Sequence, residues 1–378
     1  MYEGHRVGVV VPVYNEAAFV GDVLDGLPAF VDAVYAVDDC STDRSWAVIL
    51  ERAVRAGADG FAHEQAPDTV GERPLESPVP DPVPAARADR RVEGDDARLD
   101  RRVEGDETRR ASDGGTAAAG PRVVPIRHET NRGRGGAVKT GYRAALDDDM
   151  DVVAVLDGDG QMDPAELDRL IDPVVSGAAD YAKGDRLHDP ADRREMSGWR
   201  LFGNGLLTLL TRVSSGYWGM SDPQNGFTAI SREALEDLEF DRLYEDYGFL
   251  NDVLVQLNVA GARVVDVSMR ARYGDEESGI QYRSFVPRLS LLLLRRFVWR
   301  LRVGGASSRR QASALYGLAA LAATGGIGGS AFSVGADADG VAPIALAALV
   351  GSVALAALAV AADRRDNGPL VSRLEPER

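Results

Sequence analysis

Val7 to Val13 is an unbroken apolar run rich in β-branched residues, the pattern of a strand buried on both faces of a parallel sheet. Apolar positions from Glu16 to Leu27 recur at helical spacing, and Ala33 to Asp38 reads as a second strand. Ser41-Thr42-Asp43 then offers N-caps for a helix running to about Ala56. Strand, helix, strand, helix in this rhythm predicts a βαβ sheet. The rhythm resumes at Val123 to Ile126, followed by a helix from the Asn131–Gly136 stretch to Leu146 and a strand, Val152 to Leu156, leading into Asp157. Further strands are predicted around Tyr181, at Phe227 to Ile230 and at Val264 to Met269. Helices are predicted at Ser197 to Val213 and Tyr247 to Ala260.

Two regions break the pattern. From Glu64 to Gly120 there is no Phe, Tyr or Trp, and Pro, Asp, Glu, Arg, Gly and Ala dominate. The segment repeats itself, Asp89-Arg90-Arg91-Val92-Glu93-Gly94-Asp95 returning as Asp100-Arg101-Arg102-Val103-Glu104-Gly105-Asp106. Such a composition buries too little apolar surface to offset its ordering entropy, and it reads as a disordered insertion in a surface loop. At the other end, Ala312 to Ala336 and Val341 to Ala362 carry no charge, and each is long enough to span a bilayer. Arginines precede the first span and follow the second, at Arg364 and Arg365, whereas the loop between them carries only Asp337 and Asp339. The positive-inside rule then puts both ends in the cytoplasm. Gly325 and Gly329 form a small-xxx-small pair suited to close helix approach. Phe285 to Arg302 mixes apolar residues with Arg and suits either an interfacial basic helix or a last packing helix of the preceding domain.

Composition narrows the partners. The 378 residues carry a formal charge of −16, which argues against nucleic acid. Only Lys139 and Lys183 are lysines. An acid-rich, lysine-poor chain matches a protein of a very salty cytoplasm, although a GC-rich genome also favours Arg over Lys. A single cysteine, Cys40, excludes an internal disulfide, and the four histidines show no zinc-ligand spacing. The N-terminus enters a strand directly, with no secretory signal pattern.

The chemistry gathers at predicted strand ends. Asp157-Gly158-Asp159-Gly160-Gln161 places two carboxylates and an amide on the turn leaving a buried strand, where an open α/β sheet presents ligands. Hard oxygen donors there suit Mg²⁺ or Mn²⁺ carrying a substrate's phosphates; a plain acidic turn is the alternative. Pro12-Val13-Tyr14-Asn15-Glu16 and Val37-Asp38-Asp39-Cys40-Ser41-Thr42-Asp43 end the first two strands at the same sheet edge. Gly133 to Thr140 nearly spells a phosphate-binding P-loop, but Val138 stands where the second glycine is required.

In their order, Pro-Val-Tyr-Asn-Glu, Val-Asp-Asp-x-Ser-Thr-Asp, the Asn-x-Gly-x-Gly-x-Ala-x-x-x-Gly of Asn131 to Gly141, Asp-Gly-Asp-Gly-Gln-x-Asp-Pro and the Gly-x-Arg of Gly184 to Arg186 resemble the family-2 glycosyltransferases. The resemblance is to the branch of dolichol-phosphate mannosyltransferase and related polyprenyl-phosphate enzymes, and it covers about Val7 to Ile280 without the insertion. It implies an α/β GT-A fold with a mostly parallel central sheet, followed here by a C-terminal transmembrane hairpin. The implied activity is inverting transfer of a sugar from a nucleotide-diphosphate donor, for example a GDP-sugar, to polyprenyl or dolichyl phosphate. This would occur at the cytoplasmic face of the cell membrane, for protein N-glycosylation or cell-surface glycan assembly. Residues 1–280 would form the transferase domain, 281–311 a basic juxtamembrane segment, 312–362 two membrane helices and 363–378 a cytoplasmic tail.

The resemblance also assigns roles. Pro12, Tyr14 and Glu16 would line the nucleotide pocket, and Asp39 would hold base or ribose. Asp157, Asp159 and Gln161 would hold Mg²⁺ or Mn²⁺ on the donor diphosphate, which Arg272 or Arg270 would also touch. Arg186, Arg200 and Asn204 would bind the acceptor phosphate, with Asp222 to Phe227 as an acceptor-side loop. Asp252 stands where many relatives carry a general base; a lipid phosphate, already ionised, does not require one. Three other readings are a transferase extending a lipid-linked oligosaccharide, a processive polysaccharide synthase, and a non-catalytic membrane scaffold. The synthase reading lacks its Gln-x-x-Arg-Trp motif and extra spans. Intact Asp157, Asp159 and Gln161 argue against the scaffold.

Overall fold

The computed structural model describes residues 1–57, 120–186, 198–246, 248–269, 282–303, 307–336 and 341–374. Residues 64–119 of the predicted insertion (64–120), and both Arg270 and Arg272, lie outside these residues. One eight-stranded sheet organises the rest. Its strands are β1 (Val7–Val13), β2 (Ala33–Asp38), β3 (Arg122–Arg127), β4 (Val152–Val155), β5 (Tyr181–Asp185), β6 (Thr228–Ser231), β7 (Val264–Ser268) and β8 (Val371–Leu374), in the spatial order β3-β2-β1-β4-β6-β5-β7-β8. Only β6 runs antiparallel to its neighbours. The expected mostly parallel α/β sheet is thus present.

Strand β1 shows why its run of valines is continuous. Val7, Val9, Val11 and Val13 pack into the core on one face, and Val10 packs into the core on the other. Helices α1 (Val20–Asp25), α2 (Ser45–Arg55), α3 (Gly133–Asp147) and α4 (Leu167–Val175) join these strands. The chain builds outward from β1 through β2 to β3, then returns to β4 on the other side of β1. That reversal makes a switch point between β1 and β4, where ligands enter open α/β sheets.

The helix expected from Glu16 begins only at Val20. The preceding residues are held by the loop after β2 instead: the amides of Asn15, Glu16 and Ala17 donate to Ser41 Oγ (2.9 Å), Ser45 Oγ (2.8 Å) and Asp43 Oδ2 (3.1 Å). Ser41, read from sequence as a cap for α2, thus binds the neighbouring loop; Asp43 does both, since its Oδ1 accepts at 2.8 Å from the N–H of Ser45, where α2 starts.

Beyond the first four strands lie α5 (Gly198–Ser215), α6 (Arg232–Glu236), α7 (Phe249–Ala260) and α8 (Tyr282–Val303). Helices α9 (Ser307–Ala336) and α10 (Val341–Asn367) form an antiparallel hairpin. Both are long and apolar enough to cross a membrane, with mean hydropathy 1.2 and 2.5 over the relevant windows. Leu321, Ile344 and Val353 are each at least 70% exposed, so these are not the core helices of a globular domain. The close approach in the hairpin falls at Gly326 and Gly329, where an added Cβ would stand 2.6 Å from Leu349 and 3.2 Å from Ala345. Gly325, expected to pair with Gly329, faces open space instead.

The hairpin is seated on the α/β domain by a sealed polar seam. Arg300 of α8 donates from Nη1 and Nη2 to both carboxylate oxygens of Asp363 at 2.9 Å each. Trp218 Nε1 donates to Asp363 Oδ2 (3.0 Å), Asn367 Nδ2 to Asp363 Oδ1 (2.9 Å), and Asn258 Nδ2 to Asn367 Oδ1 (2.8 Å). Helix α8 is therefore a packing helix, with Arg296 and Arg300 turned into protein. After α10 the chain returns to the sheet as β8, parallel to β7. This strand lies within the stretch read from sequence as a tail. Four residues after a Gly368-Pro369 turn are too few to carry a periodic signal.

Candidate active site

Parallel pairing brings three strand ends to one edge. Val13 is level with Asp38, Val10 is level with Val155, and Gly158 N donates to Pro12 O at 3.3 Å. A cleft of about 430 Å³ opens there, lined by Pro12, Tyr14, Glu16, Asp39, Arg134, Asp157, Asp159 and Asp246 among others. Six residues singled out from three sequence motifs, Pro12, Tyr14, Glu16, Asp39, Asp157 and Asp159, thus meet at the switch point. A larger hollow beside Arg143 and Phe240 is more open and its lining mixes surface charges of both signs, so the strand-end cleft is the functional candidate.

The backbone around the cleft is bent for the purpose. Asn15 and Cys40, just past β1 and β2, have φ of +60° and +64°. Such left-handed residues cluster where loops are over-determined by their surroundings. Asn15 Oδ1 accepts from Thr42 N at 2.9 Å, which ties the two loops together.

Asp39 is buried, and its Oδ1 accepts from His128 Nδ1 (2.7 Å) and Arg132 N (2.8 Å). His128 in turn meets Thr140 Oγ1 at 2.9 Å. The histidine that showed no metal spacing therefore orients a cleft carboxylate. The glycines of Gly133-Arg134-Gly135-Gly136 serve packing rather than a phosphate cradle. Gly133 has φ +77°, and a Cβ on Gly135 would stand 2.7 Å from Glu245 O, which accepts from Gly136 N at 3.1 Å. Helix α3 thus lies against the Glu245–Asp246 backbone. Lys139 Nζ anchors Glu245 Oε1 at 2.8 Å. Burial opposes the Glu245 charge, yet Lys139 and Arg132 hold its carboxyl below the usual carboxylate range.

Arg134 crosses the cleft to Asp157, with Nε and Nη2 at 2.8 Å and 2.7 Å from Oδ1. Burial works against the guanidinium charge, but Asp157 raises its pKa above the ordinary value. Gly226 has no room for a side chain, since a Cβ there would run into Arg134 and Asp157. Asp159 Oδ1 accepts from Gln161 N at 3.0 Å, and Gln161 itself is not among the cleft-lining residues. No cluster of three or more His, Cys, Asp or Glu suited to a metal occurs among the described residues. Asp157 and Asp159 fit an ion that completes its shell with substrate phosphates and water, as Mg²⁺ commonly does, rather than one caged by protein alone.

Of the residues expected on the acceptor side, Arg186 and the Asp222–Phe227 loop have described contacts. Arg186 grips Asp222 through Nε at 2.9 Å and Nη2 at 3.4 Å. Gln224 Nε2 donates to Asn251 Oδ1 (3.1 Å), and Asn251 Nδ2 to Thr211 Oγ1 of α5 (2.6 Å). Arg200 and Asn204 lie one turn apart on α5.

Asp252, expected where many relatives carry a general base, lies away from the cleft lining. It is fully buried, bonded to Arg296 Nη2 (2.7 Å) and Tyr244 N (2.9 Å), and does not line the cleft. Burial pushes its carboxyl up while Arg296 pulls it down, so it is an anchor for α8. The acid that does line the cleft from this region is Asp246. The Glu245-Asp246 pair before α7 was its only signal, and acidic pairs are common in so acidic a chain.

The family model described as Glycosyl transferase family 2 matches residues 105–239. This span includes the Asp157–Gln161 turn. The chain carries a glycosyltransferase family 2 domain. A UDP-N-acetylglucosamine–dolichyl-phosphate N-acetylglucosaminyltransferase of Methanococcus voltae is 28% identical over 152 residues, covering 40% of this chain and 60% of that protein. An undecaprenyl-phosphate mannosyltransferase of Micrococcus luteus is 28% identical, with 46% and 68% covered. A polyprenol monophosphomannose synthase of Mycolicibacterium smegmatis is 30% identical, with 43% and 61% covered. This chain thus spans about three fifths of the first relative's length. Among solved structures, glucosyl-3-phosphoglycerate synthase of Mycobacterium tuberculosis aligns at 16% identity and a TM-score of 0.45, covering 79% of this chain and 80% of that one. That likeness is too distant for residue-level comparison.

Proposed function

We propose that this family-2 glycosyltransferase moves a sugar from a nucleotide-diphosphate donor to a polyprenyl phosphate, dolichyl phosphate included, at the cytoplasmic face of a membrane. The observation that carries the reading is the pairing of a carboxylate-lined strand-end cleft with a seated apolar hairpin. The names of the three relatives support the lipid-phosphate acceptor.

In this reading Tyr14 and Glu16 flank the nucleoside, and Asp39, held by His128, accepts from base or ribose. Asp157 and Asp159 would hold the donor diphosphate's Mg²⁺ or Mn²⁺, with the backbone N–H of Gln161 supporting Asp159. The ion, when bound, neutralises charge on the departing nucleoside diphosphate. Arg134 supplies a further cation beside Asp157. Arg186, with Arg200 and Asn204 on α5, receives the acceptor phosphate. Arg272 remains a donor-side candidate. The lipid phosphate attacks the anomeric carbon opposite the leaving diphosphate and inverts it. Because the nucleophile is already ionised, positioning and charge neutralisation suffice without a base. The hairpin spans the bilayer with both ends cytoplasmic, where Arg364 and Arg365 meet anionic headgroups.

The test is a screen of labelled nucleotide sugars against polyprenyl phosphate with Mg²⁺ or Mn²⁺. Labelled lipid from at least one donor, lost on chelation, supports the reading. No labelled lipid from any donor, with the protein folded, rejects it.

A further inference from the structure

Strand β8 places one side chain in a row that runs beneath the acceptor loop. In register across three strands stand Lys183 (β5), Asp266 (β7) and Arg373 (β8), a cation, an anion and a cation. Lys183 Nζ lies 3.0 Å from Asp266 Oδ1, and both groups are sealed from solvent. Arg373 Nη2 lies 3.9 Å from Asp266 Oδ2 and also 3.9 Å from Asp185 Oδ2. Arg373, the cation that arrives only with β8, thus stands beside two buried carboxylates, Asp266 and Asp185.

Ser221 sits on this row with three of its groups engaged. Its N–H donates to Asp266 Oδ2 at 2.6 Å, its carbonyl accepts from Lys183 Nζ, and its Oγ accepts from Arg373 Nη2. The next residue, Asp222, has φ +33°; its carbonyl also accepts from Lys183 (3.1 Å) and its carboxylate holds Arg186. Asp185, the other carboxylate near Arg373, immediately precedes Arg186. The arginine that follows the second apolar helix therefore touches both the turn that grips Arg186 and the strand end that carries it.

We propose that Arg373 is a positioning residue for acceptor binding: it fixes Ser221 and Asp185 so that Asp222 presents Arg186, which links the exit of the membrane hairpin to the acceptor side of the cleft. The inference rests on the reading in which Arg186 receives the acceptor phosphate.

The experiment uses the full-length protein in lipid discs, polyprenyl phosphate as acceptor and an active nucleotide sugar. It compares Arg373→Ala, Arg373→Lys and Arg186→Ala with Ser372→Ala, a control on the same strand. Arg373→Ala should raise the acceptor KM about tenfold, the effect of losing one charge-assisted hydrogen bond, with the donor KM unchanged. Arg373→Lys should recover part of the loss, and Ser372→Ala should match the parent. An unchanged acceptor KM in Arg373→Ala, or equal rises in both KM values, overturns the proposal. If Arg186→Ala also leaves the acceptor KM unchanged, the acceptor reading itself falls; if only Arg373→Ala is silent, this inference alone falls. Amide hydrogen exchange over residues 219–226 gives a readout independent of turnover. It should quicken in Arg373→Ala relative to Ser372→Ala, and equal exchange overturns the proposal.

Discussion

Arg134 with Asp157 and Arg300 with Asp363 are the same pair of side chains at nearly the same distance, 2.7 Å and 2.9 Å. Their surroundings differ. In the strand-end cleft the two side chains are 32% and 22% exposed, whereas in the hairpin seam they are 2% and 3% exposed. A pair partly open to water can exchange one partner for a ligand at a smaller cost than a sealed one. A sealed pair cannot, because removing one member strands the other's charge in a low-dielectric interior. In the proposed function, identical chemistry thus serves substrate handling in one place and assembly in the other, and burial separates the two.

Substitutions on each side of this comparison should give opposite signatures. The largest effect is expected at the open site: Asp159→Ala should cut transfer by about 10²–10³-fold, measured as labelled lipid formed, while unfolding is little changed. At the sealed site, Arg300→Ala should cost about 3–5 kcal/mol, measured by denaturant unfolding of the solubilised protein. Arg300→Met with Asp363→Leu should recover most of that loss, since an apolar pair leaves no stranded charge. Arg134→Ala should cost no more than about 1 kcal/mol by the same measurement. If it destabilises as much as Arg300→Ala, the distinction collapses.

Asp252→Asn should behave as a weaker version of the seam, losing about 1–3 kcal/mol through its bond to Arg296 and retaining kcat. A selective fall in kcat would return Asp252 to the chemistry. The smallest effect is expected from deleting Pro67 to Thr116, which should leave kcat and both KM values unaltered; loss of transfer in a folded deletion would contradict this.

Much of this comparison is visible in the sequence, for different reasons on its two sides. Cleft residues were legible because each sits at the end of an apolar run. The strand pattern fixes its neighbour at the sheet edge, as with Val13 and Tyr14 or Leu156 and Asp157. The seam was not legible. Arg300, Asp363 and Asn258 are far apart in the chain, and nothing in their local pattern marks them as partners. Arg300 looked like one more cation flanking a membrane span, and Asp363 like the polar end of one. Lys139 and Lys183 hid a related lesson: the chain's only two lysines are both buried, each paired with a carboxylate. Their rarity was plain in the composition, but their role required the fold. Asp246 was missed because its position depends on how tightly the glycines of α3 let that helix approach Glu245.

The central claim is that the strand-end carboxylates handle a nucleotide-sugar diphosphate for a lipid-phosphate acceptor. Its most direct test is transfer of label from nucleotide sugar to polyprenyl phosphate by the purified full-length protein, with and without Mg²⁺ or Mn²⁺, beside Asp159→Ala. Metal-dependent labelled lipid from the parent and almost none from the folded variant is the predicted result. Equal transfer by parent and variant would contradict the account.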